Sequence, residues 1–342
     1  MYSTSELRRA VERLPRVPLA HLPTPLDEAP RLSAELGTRV FFKRDDCTGL
    51  ACGGNKTRHN EYLLAHALSE GAEMLVWGAG VQSNNCRQTA AACARLGLGC
   101  HLVLSRASQD TAPQGNLLLD YLLGASVEFV DVPLGPALFE AVDAAAARFR
   151  AQGRRVYSWV NAVVKPRAAV SYVLCLVEIV EQLAARGLKP QAVYCSSAGS
   201  TGAGLTLARL ALGLDAPVRL VAPICWPWDH REDVALVANQ AAELLGLDVR
   251  VSPQDVESTL DFIGPGYGQP SAGGNEALAL AARREGILLD PVYTAKALAA
   301  LIHDARTGRL AGDGPVVFIH TGGVPALFAY TKQLAAAGLC PA

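Results

Sequence analysis

The sequence predicts an α/β fold in which two open parallel sheets are covered by helices on both faces. Short apolar runs alternate along the chain with helical patterns of ten or more residues, which is the order that β-α-β units produce. The apolar runs also fall into two clusters, at about 74–160 and about 190–320, and each cluster predicts one sheet. A chain of 342 residues is long enough for two such domains.

The predicted elements alternate regularly through the chain. A helix is predicted over 5–14 with Ser5 as its candidate cap, and two prolines make the segment 22–26 extended. The predicted strands are 40–43, 74–77, 100–104, 127–130, 156–160, 192–195, 218–223 and 316–320. The predicted helices are 60–70, 84–96, 113–123, 136–151, 168–186, 202–212, 232–245, 273–285, 295–306 and 324–337. Because ligands bind at the carboxyl ends of strands in such sheets, functional residues are expected in the strand-to-helix loops.

Composition and charge argue against several classes of protein. The 31 basic and 32 acidic residues give a net charge of −1, so no strong field would attract nucleic acid or an anionic membrane. No apolar run approaches the ~20 residues of a membrane helix, and the N-terminus lacks the apolar core of a signal peptide. We therefore expect a cytoplasmic protein. The nine cysteines have no C-x-x-C spacing and the histidines are dispersed, so neither a metal site nor a redox dithiol is expected.

The segment 53–58, Gly-Gly-Asn-Lys-Thr-Arg, places a lysine directly after two glycines and an asparagine. Glycines permit close approach of the backbone and unusual dihedral angles. A lysine held in such a place loses water, lowers its pKa and becomes a nucleophile toward a carbonyl group. Lys56 is therefore a candidate nucleophile. The hexapeptide alone is equally consistent with a surface turn that leaves Lys56 in solvent.

A loop of small residues, 196–204, follows the predicted strand 192–195 and opens a helix. Small residues let backbone N–H groups converge, and a helix N-terminus adds a partial positive charge. The hydroxyls of Ser200 and Thr201 add donors, so the loop favours a single phosphate monoester. It lacks both the G-K-[ST] ending of a P-loop and the G-x-G-x-x-G fingerprint of a nicotinamide-dependent dehydrogenase. The alternative is a turn whose small residues only allow tight packing.

Two further regions carry polar side chains in predicted loops. The loop 78–87 crowds four donors at a helix start, where a cap needs only one, and this favours the binding of a carboxylate. The four residues are Gln82, Ser83, Asn84 and Asn85. The segments 264–268 and 289–294 place Tyr267 and Tyr293 beside residues that constrain the backbone. Each tyrosine alone is a weak signal, because a buried tyrosine is more often a core residue.

A nucleophilic lysine, a cradle for one phosphate and a carboxylate site are together the parts of a pyridoxal phosphate enzyme that acts on amino acids. Five motifs occur in register: Gly-Gly-Asn-Lys56-Thr-Arg, Val-Gln-Ser-Asn84, Pro-Gly-Tyr267-Gly, Leu-Asp-Pro-Val-Tyr293-Thr and Phe-Ile-His320-Thr-Gly-Gly. By these motifs the sequence resembles the 1-aminocyclopropane-1-carboxylate deaminase/D-cysteine desulfhydrase family over about residues 20–335. The resemblance implies a tryptophan-synthase-β-like fold (type II), with the cofactor in the cleft between two domains. The large domain would comprise 1–60 and 166–342, and the small domain 61–165.

The resemblance also implies a role for each matching residue. Lys56 would form the Schiff base with the cofactor and later move the Cα proton, a task that Ser83 would share. Asn84 would bind the 3′-oxygen of the cofactor, and Thr294 would lie at the pyridine nitrogen. The phosphate would be held by Ala198, Gly199, Ser200, Thr201 and Gly202. The substrate would contact Gln82, Ser83, Asn84, Asn85 and Tyr267, with Tyr267 and Tyr293 as acid–base or leaving-group partners.

The residue at position 294 favours one branch of the family. Members that open the cyclopropane ring carry an acidic residue there, which keeps the pyridine nitrogen protonated, and threonine cannot do so by charge pairing. A weaker electron sink favours prompt loss of a β-substituent. We therefore expect D-cysteine desulfhydrase-like α,β-elimination from a small amino acid, giving a keto acid and ammonia. β-Replacement and ring opening are the alternatives, and the resemblance implies a homodimer.

Several positions depart from the family pattern. His59 and Asn60 stand where a basic and an apolar residue are usual, and Asn85 stands where His or Gln is frequent. The segments 159–166 and 224–231 also differ, the latter being rich in aromatic residues. It is either a surface loop with two packed tryptophans or a reshaped substrate wall. The departures spare the cofactor motifs, so they concern the substrate. The intact motifs also argue against a non-catalytic binding protein that merely kept the fold.

Overall fold

The computed structural model describes residues 1–106, 110–159 and 163–341, and its strands form two separate sheets. In chain order the described strands are β1 (Leu26–Glu28), β2 (Val40–Lys43), β3 (Met74–Gly80), β4 (Gly99–Ser105), β5 (Ser126–Val130), β6 (Val156–Ser158), β7 (Ala192–Ser196), β8 (Val218–Val221), β9 (Ser258–Thr259) and β10 (Val316–Ile319). The first sheet has the order β1-β2-β10-β7-β8-β9, and the second has the order β5-β4-β3-β6. Neighbouring strands are parallel except for β1, which pairs antiparallel with β2 at one edge. The predicted α/β fold with two parallel sheets is confirmed.

Helices connect the strands and cover both sheets. In chain order the described α-helices are α1 (Thr4–Glu12), α2 (Pro30–Leu36), α3 (Asn55–Ser69), α4 (Asn84–Leu96), α5 (Gly115–Leu122), α6 (Pro136–Ala151), α7 (Val164–Ala184), α8 (Ser200–Leu212), α9 (His230–Leu245), α10 (Ala272–Glu285), α11 (Thr294–Arg306), α12 (Val324–Leu327) and α13 (Thr331–Ala336). Within the described part of the chain, no helix is both long and apolar enough to cross a membrane. The assignment of 61–165 to a separate small domain stays a prediction.

Alternating side chains divide the core on the two faces of the first sheet. Phe41 packs with residues of α1, α7, α8 and α9, whereas its neighbour Phe42 packs with residues of α2, α10 and α11. Val317 and Phe318 of β10 alternate in the same way. A strand that is buried on both faces reads as a continuous apolar run, which is why the inner strands of this sheet, β2, β10, β7 and β8, are visible in the sequence.

The second sheet repeats this arrangement with different helices. Leu75 and Trp77 of β3 pack with residues of α3, α4 and α5, and Val76 packs with residues of α6. The parallel strands of both sheets are followed by loops that run into helices. The carboxyl ends of β3 and β7 contribute residues to the cavity of the candidate active site.

Two of the helix starts that differ from the predictions have a clear physical cause. Ser3 caps α1, not Ser5: its hydroxyl accepts from the Glu6 N–H at 3.3 Å, and the Glu6 carboxylate accepts from the Ser3 N–H at 2.8 Å. The helix predicted over 60–70 begins at Asn55. The Asn55 N–H donates to the carbonyl of Thr321 at 2.9 Å, so the loop after β10 satisfies this donor at the helix start. Because residues 55–61 are polar, this first turn lacks the apolar pattern by which a buried helix is predicted from sequence. Most of these residues are nevertheless buried.

The C-terminal helix predicted over 324–337 is wrong as one element, since it is divided into α12 and α13. Tyr330 interrupts it with a non-helical backbone (φ −115°, ψ 18°), and its hydroxyl donates to the carbonyl of Gly268 at 2.9 Å. The elements α2, β1 and β9 were not predicted from the sequence. Of the predicted strand 156–160, residue 160 lies outside the described residues.

Candidate active site

A cavity of about 230 Å³ is lined by residues of both sheets. Ala79 reaches it from the carboxyl end of β3, and Ser196 from the end of β7. Lys56 reaches it from the first turn of α3. The cavity therefore lies where parallel strands end, which is the usual ligand site of such sheets.

Two glycines bring the chain into contact with itself just before Lys56. Gly53 and Gly54 have φ of 64° and 124°, values that residues with a side chain rarely adopt. A Cβ on Gly53 would lie 1.9 Å from the Asp46 carbonyl oxygen. A Cβ on Gly322 would lie 2.7 Å from the Gly54 Cα, so the loop after β10 also packs against this turn. The glycines thus permit the close approach that brings Lys56 to the cavity.

Lys56 is half-buried and lines the cavity. Burial lowers the pKa of its amine to about 8, because the ammonium form loses solvation there. The ammonium form still predominates at about pH 7, but the neutral share is far larger than that of a solvated lysine. A neutral amine at a cavity wall is what a lysine needs in order to attack a carbonyl carbon.

A buried ion network lies beside the lysine turn. The Arg58 guanidinium donates to Asp45 Oδ1 at 2.9 Å and to Glu178 Oε1 at 2.9 Å. Lys43 Nζ lies 2.7 Å from Glu178 Oε2, and the Tyr172 hydroxyl donates to Asp45 Oδ2 at 2.6 Å. Burial opposes ionisation of Asp45, but the Arg58 charge outweighs it and holds the pKa of this carboxyl below its ordinary value. The network joins α3 to α7 and to the segment after β2.

The small-residue loop forms an anion cradle at the start of α8. Ala198, Gly199, Ser200 and Thr201 line the cavity, as predicted for residues that would surround a phosphate. The Ser197 hydroxyl accepts from the Gly202 N–H at 2.8 Å. Among the described residues no acceptor meets the N–H groups of Ser200 and Thr201, which are the first two of the helix. These free donors and the helix dipole favour an anion.

Gly202 has a packing function in this turn. A Cβ there would lie 2.5 Å from Leu220 Cδ1, so the Leu220 side chain would have to shift to make room for it. Gly202 is not among the described residues that line the cavity. Its backbone N–H is held by Ser197, and its predicted contact with the phosphate stays a prediction.

His59 contacts the anion cradle from α3. Its Nε2 lies 3.1 Å from the Thr201 hydroxyl, and the Asn55 amide donates to the same hydroxyl at 3.1 Å. Burial lowers the pKa of His59 well below its ordinary value, and the Lys56 charge adds to this. His59 is therefore a neutral hydrogen-bonding partner of Thr201. The sequence identified His59 only as a departure from the family pattern and gave Asn55 no role.

The polar residues at the start of α4 are divided between the cavity and the core. Ser83, Asn84 and Asn85 line the cavity, and the Ser83 hydroxyl caps α4 by accepting from the Asn85 N–H at 3.1 Å. Gln82 is absent from the described cavity lining. Its amide instead donates to the Gln114 carbonyl at 3.0 Å and accepts from the Asn116 N–H at 2.9 Å. Its predicted contact with the substrate stays a prediction.

The two predicted tyrosines meet at the cavity. The hydroxyls of Tyr267 and Tyr293 lie 2.5 Å apart, and both residues line the cavity. Burial raises the pKa of Tyr267 to about 12, so the phenol is protonated at neutral pH. Lys296, a buried residue that the sequence analysis did not identify, donates to the carbonyls of Ile263 at 2.7 Å and Gly266 at 2.9 Å. It therefore fastens the loop that carries Tyr267.

Thr294 follows Tyr293 as the first residue of α11 and is fully buried. Its hydroxyl donates to Asp290 Oδ1 at 2.7 Å, and Asp290 Oδ2 accepts from the N–H groups of Val292 and Tyr293, each at 2.9 Å. Thr294 is not among the described cavity residues. Asp290 thus organises the start of α11 and the position of Tyr293. The place of Thr294 at the pyridine nitrogen stays a prediction.

An apolar wall faces the polar residues across the same cavity. We call it the aromatic wall and define it by Trp77, Phe139, Trp159, Trp226 and Trp228. The segment 224–231 therefore contributes two tryptophans to the cavity, in keeping with the reshaped wall that the sequence analysis proposed as one alternative. Phe139 and the ion pair of Lys165 with Asp233, at 2.8 Å, also line the cavity and were not identified from the sequence.

The described residues fit pyridoxal phosphate. The cradle offers two unpaired backbone donors and a helix N-terminus for one phosphate group, and Lys56 offers a partly neutral amine. The Asn84 side chain accepts from the Asn116 amide at 2.8 Å, which leaves its own amide N–H groups available as donors. The cradle would hold the phosphate of the cofactor, and Lys56 would bond to its carbonyl carbon. Asn84 would donate to its 3′-oxygen.

Comparison with known proteins agrees with this fit. A model of the family "Pyridoxal-phosphate dependent enzyme" matches residues 17–322. The chain is 40% identical over 326 residues to a D-cysteine desulfhydrase of Klebsiella pneumoniae, covering 94% of this chain and 98% of that protein. It is also 40% identical to one of Salmonella typhi, covering 93% and 97% of the two chains.

Solved structures have the same architecture. The crystal structure of an ACC deaminase homologue matches with a TM-score of 0.88 and 33% identity, covering 98% of this chain and 100% of that one. Diaminopropionate ammonia lyase from Escherichia coli matches with a TM-score of 0.67 and 18% identity over 98% and 91% of the chains, a likeness of fold alone. The predicted cofactor and the resemblance drawn from the five motifs are confirmed. The chain belongs to the pyridoxal-phosphate dependent enzyme family.

Proposed function

We propose that the protein catalyses α,β-elimination on a small α-amino acid with a leaving group on its β-carbon, as a D-cysteine desulfhydrase does. The products are a keto acid and ammonia. The observation that carries the proposal is one cavity that combines Lys56, the anion cradle and the Tyr267–Tyr293 pair. The names of relatives 40% identical over nearly the full chain support the same reaction.

Bound pyridoxal phosphate supplies the electron sink that makes the Cα–H bond of the amino acid acidic. The chain supplies the remaining groups. The Lys56 amine takes the Cα proton, which its pKa of about 8 permits near neutral pH. Ser83 and Asn85 donate to the substrate carboxylate, and Asn84 to the cofactor's 3′-oxygen. Thr294 is proposed to meet the pyridine nitrogen.

The two phenols protonate the leaving group. Both hydroxyls are protonated at neutral pH, as an ordinary tyrosine is, and burial raises the pKa of each tyrosine further. The leaving sulfur of a cysteine carries the electron pair of the broken Cβ–S bond, and a neighbouring O–H donor stabilises this charge. The 2.5 Å contact between the hydroxyls lets one phenol replace the proton that the other donates.

The test is a panel of D- and L-amino acids with β-leaving groups, assayed together with the cyclopropane acid. Keto acid formation and exchange of the Cα proton in deuterated water should both be measured. We expect keto acid from the β-thiol amino acid of one enantiomer, and loss of both signals in Lys56→Ala. Keto acid from the cyclopropane acid alone would overturn elimination in favour of ring opening.

We also propose that the enzyme is a cytoplasmic homodimer. The described cysteines are free thiols, which suits a reducing compartment, and the dimer follows from the family resemblance. Light scattering on the purified holoenzyme tests the dimer. A mass near twice 36.0 kDa is expected, and a mass of one chain would contradict it.

A further inference from the structure

All four tryptophans of the sequence line the active-site cavity. They come from separate parts of the chain: Trp77 lies in β3, Trp159 follows β6, and Trp226 and Trp228 lie between β8 and α9. Phe139 joins them from the start of α6. Since none of these residues belongs to the cradle or to the polar site, the aromatic wall is a second surface of the same cavity.

The rings of the aromatic wall form a continuous series. Trp226 and Trp228 stack with centroids 5.0 Å apart and an angle of 7° between the planes. Trp228 lies 6.5 Å from Phe139, which meets Trp159 edge to face at 5.5 Å, and Trp159 lies 5.9 Å from Trp77. The series runs from buried Trp77 to half-buried Trp226. Its faces and edges offer favourable contacts to an apolar or aromatic group.

Charge at the aromatic wall is balanced. Lys165 Nζ lies 2.8 Å from Asp233 Oδ1, and it also lies 5.9 Å from the centre of the Trp228 ring. Both charged residues line the cavity and neutralise each other. The wall therefore favours a neutral group over a carboxylate or an ammonium group. The charged part of an amino acid is matched instead by the polar residues at the start of α4.

A free thiol is too small to use this surface. The side chain of cysteine extends only two heavy atoms beyond Cα, so it can contact only a small part of five large rings. Binding is strengthened in proportion to the apolar area that is removed from water, and a larger apolar substituent would remove more of it. On the basis of the elimination proposed above, we infer that the preferred substrate is a thioether: a cysteine whose sulfur carries a bulky apolar group, such as benzyl or aryl.

The reaction on such a substrate balances without an oxidant or a reductant. The Cα proton passes to Lys56, the Cβ–S bond breaks, and its electron pair leaves on sulfur. The thiolate takes a proton from the Tyr267–Tyr293 pair and departs as a thiol. The proton that Lys56 took from Cα then passes to the pair through water, so that both groups regain their starting protonation state. The remaining three-carbon enamine reacts with one water molecule to give pyruvate and ammonia.

The experiment compares S-benzylcysteine with cysteine on the holoenzyme, using both enantiomers of each. Pyruvate formation gives kcat/KM for every substrate. We expect the S-benzyl thioether to exceed cysteine of the same enantiomer by about tenfold or more, the range that one well-placed apolar group provides. A kcat/KM for S-benzylcysteine equal to or below that of cysteine overturns the inference.

Variants locate the preference at the aromatic wall. Phe139→Ala is expected to lower kcat/KM for S-benzylcysteine about tenfold while that for cysteine stays within about twofold. Phe328→Ala, at a phenylalanine that is 62% exposed and outside the cavity lining, is the matched control and should change neither value. If Phe139→Ala fails to fold, Trp228→Leu makes the same test from the other side of the series. Equal losses for both substrates in a folded wall variant would contradict the inference.

The same data separate this inference from the proposed function. Pyruvate from cysteine without a preference for the thioether would leave elimination standing and reject the thioether. No keto acid from any substrate with a β-sulfur, from an enzyme that holds its cofactor at Lys56, would reject the proposed function itself.

Discussion

The hydroxyl oxygens of Tyr267 and Tyr293 lie 2.5 Å apart, although the two residues come from different loops. Their rings meet edge to face at 5.9 Å with an angle of 74°. Only one of the two oxygens can donate in this contact, so the other hydrogen is available to a substrate atom. Two phenols that share one hydrogen bond can therefore act as a single proton donor with a short relay.

Replacing either tyrosine should slow the reaction without removing the cofactor. We expect Tyr267→Phe to lower kcat by about 10²- to 10⁴-fold, the usual contribution of a positioned general acid. Because the two hydroxyls act as one unit, the double variant with Tyr293→Phe should lose little more than the worse single variant. Steady-state kinetics checks this, with Tyr121→Phe on the exposed side of α5 as control. Independent, multiplicative losses would contradict the relay.

Lys296 should affect the reaction only through the position of Tyr267. Its ammonium group holds the carbonyls of Ile263 and Gly266, and Lys296→Met would release this loop. We expect kcat to fall about tenfold to hundredfold, since small displacements of a catalytic group cost this much. The visible absorption of the bound cofactor should stay intact, and Lys296→Arg should restore part of kcat. Loss of cofactor binding in Lys296→Met would show a different role.

How far the sequence predicts the site depends on whether the signal is local. The glycines before Lys56 and the small residues 198–202 are short motifs whose backbone requirements can be read in order along the chain. Gln82 and Thr294 belong to two other motifs, those of Asn84 and Tyr293, and their side chains bind Gln114 and Asp290. Such contacts depend on packing between distant segments.

The fold shows the same division between local and distant signals. Strands buried on both faces gave clear apolar runs, and α4 and α6 were predicted with the bounds that the structure has. By contrast, α3 was predicted five residues too late, because its buried polar first turn is satisfied by the loop after β10. Lys296 was missed for a related reason. Its partners are backbone carbonyls some 30 residues away, and a backbone carbonyl cannot be recognised from the residue types in the sequence.

The Arg58 network should contribute strongly to stability. Arg58→Met would leave Asp45 and Glu178 buried with only Lys43 to balance them. Breaking a buried ion network from one side costs about 3–5 kcal/mol, and we expect a decrease of that size in the free energy of unfolding. Chemical denaturation of the apoenzyme measures it. Arg306→Met, which breaks an exposed pair with Glu276, is the control and should cost less than about 1 kcal/mol. Equal losses would contradict the account.

The pH dependence of cofactor capture should report the Lys56 amine. Burial lowers its pKa from 10.5 to about 8, and only the neutral form attacks the aldehyde. The neutral fraction grows about fivefold from about pH 7 to about pH 8 and less than about twofold over the next unit. Stopped-flow mixing of apoenzyme with pyridoxal phosphate should follow this curve. A rate that keeps rising about tenfold per pH unit up to about pH 10 would indicate an ordinary, solvated lysine.

The central claim is that Lys56, and no other lysine, holds the cofactor. Two other lysines serve as comparisons for Lys56. Lys165 also lines the cavity but is paired with Asp233, and Lys296 donates to two backbone carbonyls. Borohydride reduction of the holoenzyme followed by peptide mass mapping measures the attachment site directly. We predict a pyridoxyl phosphate adduct on Lys56 that disappears in Lys56→Ala. An adduct on Lys165 or Lys296, or none on Lys56, would contradict the account.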